Sequence, residues 1–137
     1  MTRRGLLVLV AVAVGVAVTS CSRDDVAEEP AWGKEPCAHC AMVLSDKRFG
    51  AQLVDGSGDR RFFDDVGCMV LFEEEHATPR KAWVRDARTG AWLEAVAARY
   101  SESTGTPMDF GIAAGAVDGM PWAAMRDAVL ARSRRGR

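Results

Sequence analysis

Apolar and polar positions change rhythm along this chain, and the changes mark its elements. Residues 49–54, Phe-Gly-Ala-Gln-Leu-Val, read as a strand, and Asp55-Gly56-Ser57-Gly58 is strong turn chemistry. Arg60-Arg61-Phe62-Phe63 reads as the return strand. Asp64 or Asp65 can then cap a helix in which Val66, Met69 and Val70, with Leu71 and Phe72 beside them, recur at helical spacing. This helix ends near Glu75-His76, and Thr78-Pro79 breaks it, because proline lacks the N–H that would continue the ladder. Ala82-Trp83-Val84 is a third short strand. The second half echoes this order more loosely, with candidate strands at residues 97–101 and 110–114 around a polar loop. Pro121 fits the first turn of a final helix carrying Trp122, Met125 and Val129 on one face. The expectation is a small single α+β domain, built as two ββα(β)-type repeats of antiparallel strands from a weak internal duplication.

Residues 1–20 stand apart from this pattern. Arg3 and Arg4 form a short basic start, and residues 5–18 are uncharged and almost purely aliphatic, too short a run to span a bilayer comfortably. They read as a secretory signal. Its end, Val18-Thr19-Ser20-Cys21, resembles a bacterial lipobox, which implies cleavage before Cys21 and lipid on its thiol. Residues 21–36, polar, acidic and punctuated by Pro30 and Pro36, then read as a lipidated tether. The domain proper is expected over residues 37–131, with a basic tail at 132–137. Removing Arg3 and Arg4 from the 18 basic residues leaves 16 against 19 acidic, a net of about −3, which argues against nucleic acid as a partner.

With Cys21 committed to lipid, Cys37, Cys40 and Cys68 remain, an odd count for an extracytoplasmic protein. At most one internal disulfide can form, so a metal site or a deliberately reduced thiol has to be considered. Cys37-Ala38-His39-Cys40-Ala41-Met42 concentrates two thiols, an imidazole and a thioether. A redox C-x-x-C normally follows a strand and opens a helix, a context missing here. Structural zinc usually takes four protein ligands, and only one C-x-x-C pair is present; Cys68, in a different context, with His39 and His76 could complete a Cys₃His set, but not at zinc-knuckle spacing. Thiolate and thioether together suit Cu(I), whose soft filled shell matches polarizable sulfur. Met42 never titrates and cannot enter a disulfide; standing alone, it would equally be core filler. Met69 reads as core, and Cys68, one step off that apolar face, more as a small packed residue than as a ligand, with the ligand role left open. Met108 lies in a loop, where packing explains it less well, and His76 suits a helix C-terminus.

Residues 37–42, then Phe49-Gly50-Ala51-Gln52-Leu53, Gly58, and Phe62-Phe63-Asp64-Asp65-Val66-Gly67-Cys68-Met69 together resemble the NosL family, lipoproteins that accompany nitrous oxide reductase in denitrifying bacteria. Gly105-Thr106-Pro107-Met108 looks like that family's second-half segment, and the likeness covers roughly residues 36–115. The resemblance implies a non-catalytic Cu(I)-binding metallochaperone, lipid-anchored at the cell membrane or outer membrane and facing the periplasmic side. It implies delivery of copper for assembly of nitrous oxide reductase or a related cuproenzyme. By the same resemblance Cys40 and Met42 are the first metal ligands and Met108 a third, with Cys37 and His39 as additional donors in this version of the motif. Two other readings stay open: an extracytoplasmic thiol-disulfide oxidoreductase using Cys37 and Cys40, and a structural lipoprotein whose cysteines only form a disulfide.

Overall fold

The computed structural model describes residues 23–136. Strand β1 (Ala51–Val54) turns back on β2 (Arg60–Phe63) through residues 55–59. The Asp55 carboxylate accepts from the backbone N–H groups of Ser57 and Asp59, and Gly58 adopts φ 93, which a side chain would resist. β1 also pairs with β3 (Lys81–Arg85), and β3 with β4 (Trp92–Glu94), giving an antiparallel sheet in the order β2-β1-β3-β4. A separate two-stranded sheet joins β5 (Tyr100–Glu102) to β6 (Ile112–Ala114).

Helix α1 (Val66–Glu75) leaves β2 immediately, capped by Asp65, whose carboxylate accepts from the Gly67 N–H. Helix α2 (Trp122–Arg135) starts at Pro121, which is the cap residue itself and not part of the first turn. The two helices meet around Met125 and Val129, both fully buried, with Phe63, Met69, Val70, Tyr100 and Ile112 completing the core. Arg126 of α2 ties to Glu73 and Glu74 of α1.

The class is therefore α+β with antiparallel strands, as the sequence predicts. Three details differ. Strand β4 has no counterpart in the sequence reading, the strand expected at 97–101 lies at Tyr100–Glu102, and that expected at 110–114 begins at Ile112. Ala97 and Ala98 instead donate their N–H groups to the Glu94 carbonyl and form a turn. The two halves differ in strand number and sheet membership, so the duplication stays a feature of the sequence pattern.

Residues 28–36, expected to be tether, pack against the sheet. The fully buried Gln52 side chain accepts from the Glu28 N–H at 2.9 Å and donates to its carbonyl at 2.8 Å. Glu29 accepts from the indoles of Trp32 and Trp92 and pairs with Arg85. An acidic, proline-bearing stretch thus becomes the outer strap of the domain, because Glu28 and Glu29 meet partners on the sheet. No helix among the described residues is long and apolar enough to cross a membrane, and Cys21 lies outside those residues.

Candidate metal centre

Residues 37–40 form a tight turn whose ends are closed by a bridge between Pro36 and Val43. The Cys37 N–H donates to the Met42 carbonyl at 2.7 Å, and the Ala41 N–H returns to the Cys37 carbonyl at 2.9 Å. Closing that loop forces Ala41 into the left-handed region, at φ 62. Two further bonds dock the loop on the fold. Ala38 donates to the Phe62 carbonyl of β2, and the Asp64 carboxylate accepts from the Ser45 N–H at 2.8 Å.

Cys68 arrives from the other side, as the third residue of α1, on the first turn fixed by the Asp65 cap. The Sγ atoms of Cys37, Cys40 and Cys68 all lie within 4.8 Å of one another. At a metal–sulfur distance of about 2.3 Å, two sulfurs on one ion stand roughly 4 Å apart in a trigonal arrangement and roughly 4.6 Å apart in a linear one. A bound of 4.8 Å accommodates that spacing, and all three are free thiols.

The surroundings prepare the cluster for charge. Cys37 is held well below the ordinary thiol range, first by the Cys68 S–H donating to it and then by the backbone N–H groups of Cys40, Asp64 and His39, against the opposing effect of burial. Cys68 is pushed up as the donor of that bond and by burial. Burial also raises Cys40, while the Met42 N–H donates to its sulfur and works the other way. The first turn of α1 adds the positive end of a helix dipole. Such a pocket of N–H donors around sulfur favours a thiolate and, equally, a metal bound to it.

The sequence-predicted donors divide. Cys37 and Cys40 belong to the cluster. Cys68, read as a packing residue, belongs to it as well: it is fully buried, but its sulfur packs against sulfur. His39 stands outside the three, with Nδ1 3.9 Å from the Glu75 carboxylate. Met42 and Met108 are exposed, at 59% and 36%. Met108 nevertheless borders the site, because its N–H donates to the Asp65 carboxylate at 3.2 Å and Phe110 packs on Gly67, where any Cβ would run into the ring. The signal for Cys68 was its place one turn into a helix directly after an Asp-Asp cap.

No family model, no curated protein and no solved structure matches this chain. The site has to be argued from its own chemistry.

Proposed function

We propose that this protein is a lipid-anchored, extracytoplasmic carrier of Cu(I), of the NosL kind, that hands copper to nitrous oxide reductase or another cuproenzyme during its assembly. One observation carries the copper part: three cysteine sulfurs within 4.8 Å, offered by a preformed turn and a helix start. Three soft donors with no carboxylate or imidazole among them favour a soft monovalent ion over hard divalent ones. The anchor and the client rest on the lipobox and on the sequence resemblance.

Two features favour a carrier over a structural zinc site or an oxidoreductase. A closed zinc site takes four ligands, and the cluster offers three, leaving a coordination position through which a partner's ligand can enter. The sulfur with thiolate character, Cys37, is 2% exposed and cannot approach a disulfide on another protein without opening the turn. Cys40, half-buried, is the face the cluster shows to solvent.

The test is an anaerobic competition between the reduced protein and a colorimetric Cu(I) chelator. One ion per chain is expected, with a loss of at least a hundredfold in affinity when Cys37, Cys40 and Cys68 are all changed to serine. A triple variant that competes as well as the parent would refute the assignment. Zinc retained in preference to Cu(I) at equal supply would refute the choice of metal.

A further inference from the structure

We propose that Cys37 and Cys40 close into a reversible disulfide that takes the metal site apart, so that reduction by a dithiol must precede uptake of Cu(I) by the oxidised chain. The inference rests on the reading of the cysteine cluster as a Cu(I) site and adds the reaction on which loading depends.

The first argument is the supply of sulfur. Cys37, Cys40 and Cys68 are free thiols with their Sγ atoms within 4.8 Å of one another. Disulfides form and persist in oxidising compartments, and the extracytoplasmic location proposed above is one. Three thiols allow one disulfide among themselves, and that bond removes two of the three donors.

The second argument is access, which decides where oxidation starts. Cys37 is 2% exposed and Cys68 0%, so neither meets an oxidant in the folded chain. Cys40 is half-buried and is the one residue of the three open to solvent.

The third argument selects the partner of Cys40. Cys37 shares a turn with it, closed by the Ala41 N–H on the Cys37 carbonyl at 2.9 Å and the Cys37 N–H on the Met42 carbonyl at 2.7 Å. A bond between the two spans a pair of residues in a segment that is already folded. Cys68 instead stands on α1, whose first turn is pinned by the Asp65 carboxylate and by Phe110 against Gly67. It also donates its S–H to Cys37, as do the backbone N–H groups of Cys40, Asp64 and His39. Cys37 is therefore the electron-rich sulfur beside Cys40, and Cys68 keeps its proton.

The exchange balances with a small disulfide as oxidant. The Cys40 sulfur gives its proton to solvent and attacks one sulfur of the oxidant, whose S–S bond breaks and releases one thiol. The Cys37 sulfur then attacks Cys40 Sγ in that mixed disulfide, forms the Cys37–Cys40 bond and releases the second thiol. Two electrons pass from the chain to the oxidant, and two protons reach the departing thiolates by way of solvent. What remains for the metal is the Cys68 thiol beside two neutral sulfurs, which are poor ligands compared with thiolates. A dithiol reductant runs the same steps backwards and restores all three donors, so the chain calls for a reducing partner that reaches Cys40.

The experiment uses the full chain, purified reduced and without oxygen, with oxidised glutathione as the probe. After exposure the thiols are alkylated in denaturant and the chain is cut with trypsin, which places Cys37 and Cys40 on residues 35–47 and Cys68 on residues 62–80. The expected product is an unalkylated 35–47 peptide two hydrogens lighter than its dithiol form, with Cys68 alkylated. Cu(I) affinity, by competition with bathocuproine disulfonate, should fall roughly a hundredfold or more on oxidation and return after dithiothreitol is added and removed. No internal bond, a cross-link between the two peptides, or an oxidised chain that binds Cu(I) as the reduced one does would each overturn the proposal. Cys40→Ser should keep both remaining thiols reduced; a Cys37–Cys68 bond in that variant would refute entry at Cys40. A reduced parent that fails to bind Cu(I) at all is a different failure, which sinks the copper reading itself.

Discussion

Replacing Asp65 tests whether one carboxylate joins the helix, the 106–110 loop and the cysteine cluster. Its Oδ1 accepts from the Gly67 N–H at 2.8 Å and caps α1; its Oδ2 accepts from the Met108 N–H at 3.2 Å, and the Thr106 hydroxyl donates to it as well. Burial raises this carboxyl above its ordinary range, and those three donors pull against the rise. Asp65→Ala removes a cap worth about 1 kcal/mol. It also leaves the partly buried Met108 N–H without its acceptor, at a further cost of about 1–2 kcal/mol. A total of about 2–3 kcal/mol follows, which in a domain of this size lowers the melting temperature by roughly 8–12 °C. Asp65→Asn is the sharper variant. Its single carbonyl can serve one N–H, and its amide then presents a donor to the other, so isosteric replacement should still cost about 1–2 kcal/mol. Urea unfolding followed by circular dichroism measures both. Should Asp65→Asn unfold within 0.5 kcal/mol of the parent, the two-sided role of this carboxylate is refuted, with 0.5 taken as the usual scatter of surface substitutions.

Ala41→Gly should leave stability unchanged or raise it by up to about 1 kcal/mol, since glycine relieves a left-handed strain of about 1–2 kcal/mol and adds about 0.4–1 kcal/mol of unfolded-chain entropy; Ala41→Val in the same urea titration should be destabilising. Met125→Ala, at a fully buried position between the helices, should cost about 2–5 kcal/mol by the same assay. Glu73 is raised above the usual carboxylate range chiefly by burial, with Arg126 opposing. The folded state therefore holds this proton more tightly than the unfolded chain, and the associated stability is complete below the unfolded value and lost as pH rises through the folded one. Glu73→Gln should flatten the decline of stability above about pH 4.5, the unfolded value; an identical pH profile in parent and variant would contradict the burial argument.

The elements legible in the sequence are those defined by neighbours in the chain. The β1–β2 hairpin announces itself through Asp55 and Gly58, and α1 through its aspartate cap and apolar spacing. What sequence did not show depends on partners far away. Strand β4 is three residues long and exists because Leu93 and Trp92 pair with Val84 and Arg85. Residues 28–36 look like linker until Gln52 and Arg85 supply partners for Glu28 and Glu29. Cys68 carries an apolar context identical to that of a packing residue, and only the crossing of α1 over the 37–40 turn gives it two sulfur neighbours. Of the pair that drew attention in sequence, Cys40 stands in the cysteine cluster and Met42 is exposed two residues on.

The surroundings of the cluster bear on what the proposed carrier must survive. Small metal-dependent domains unfold when the ion leaves, because coordination supplies their folding energy. Here Cys37 and Cys68 share one buried core with Phe63, Met69, Val70, Tyr100, Ile112, Met125 and Val129, so apolar burial supplies folding energy beside any that coordination would add. Hydrogen bonds link the cluster to the fold: Cys68 donates to Cys37, and backbone N–H groups donate to Cys37 and Cys40. The turn and the helix start keep the three sulfurs within 4.8 Å of one another. On the proposed reading, such a core would let the chain stay folded through loading and release, which delivery requires and which a site folded by its metal does not allow.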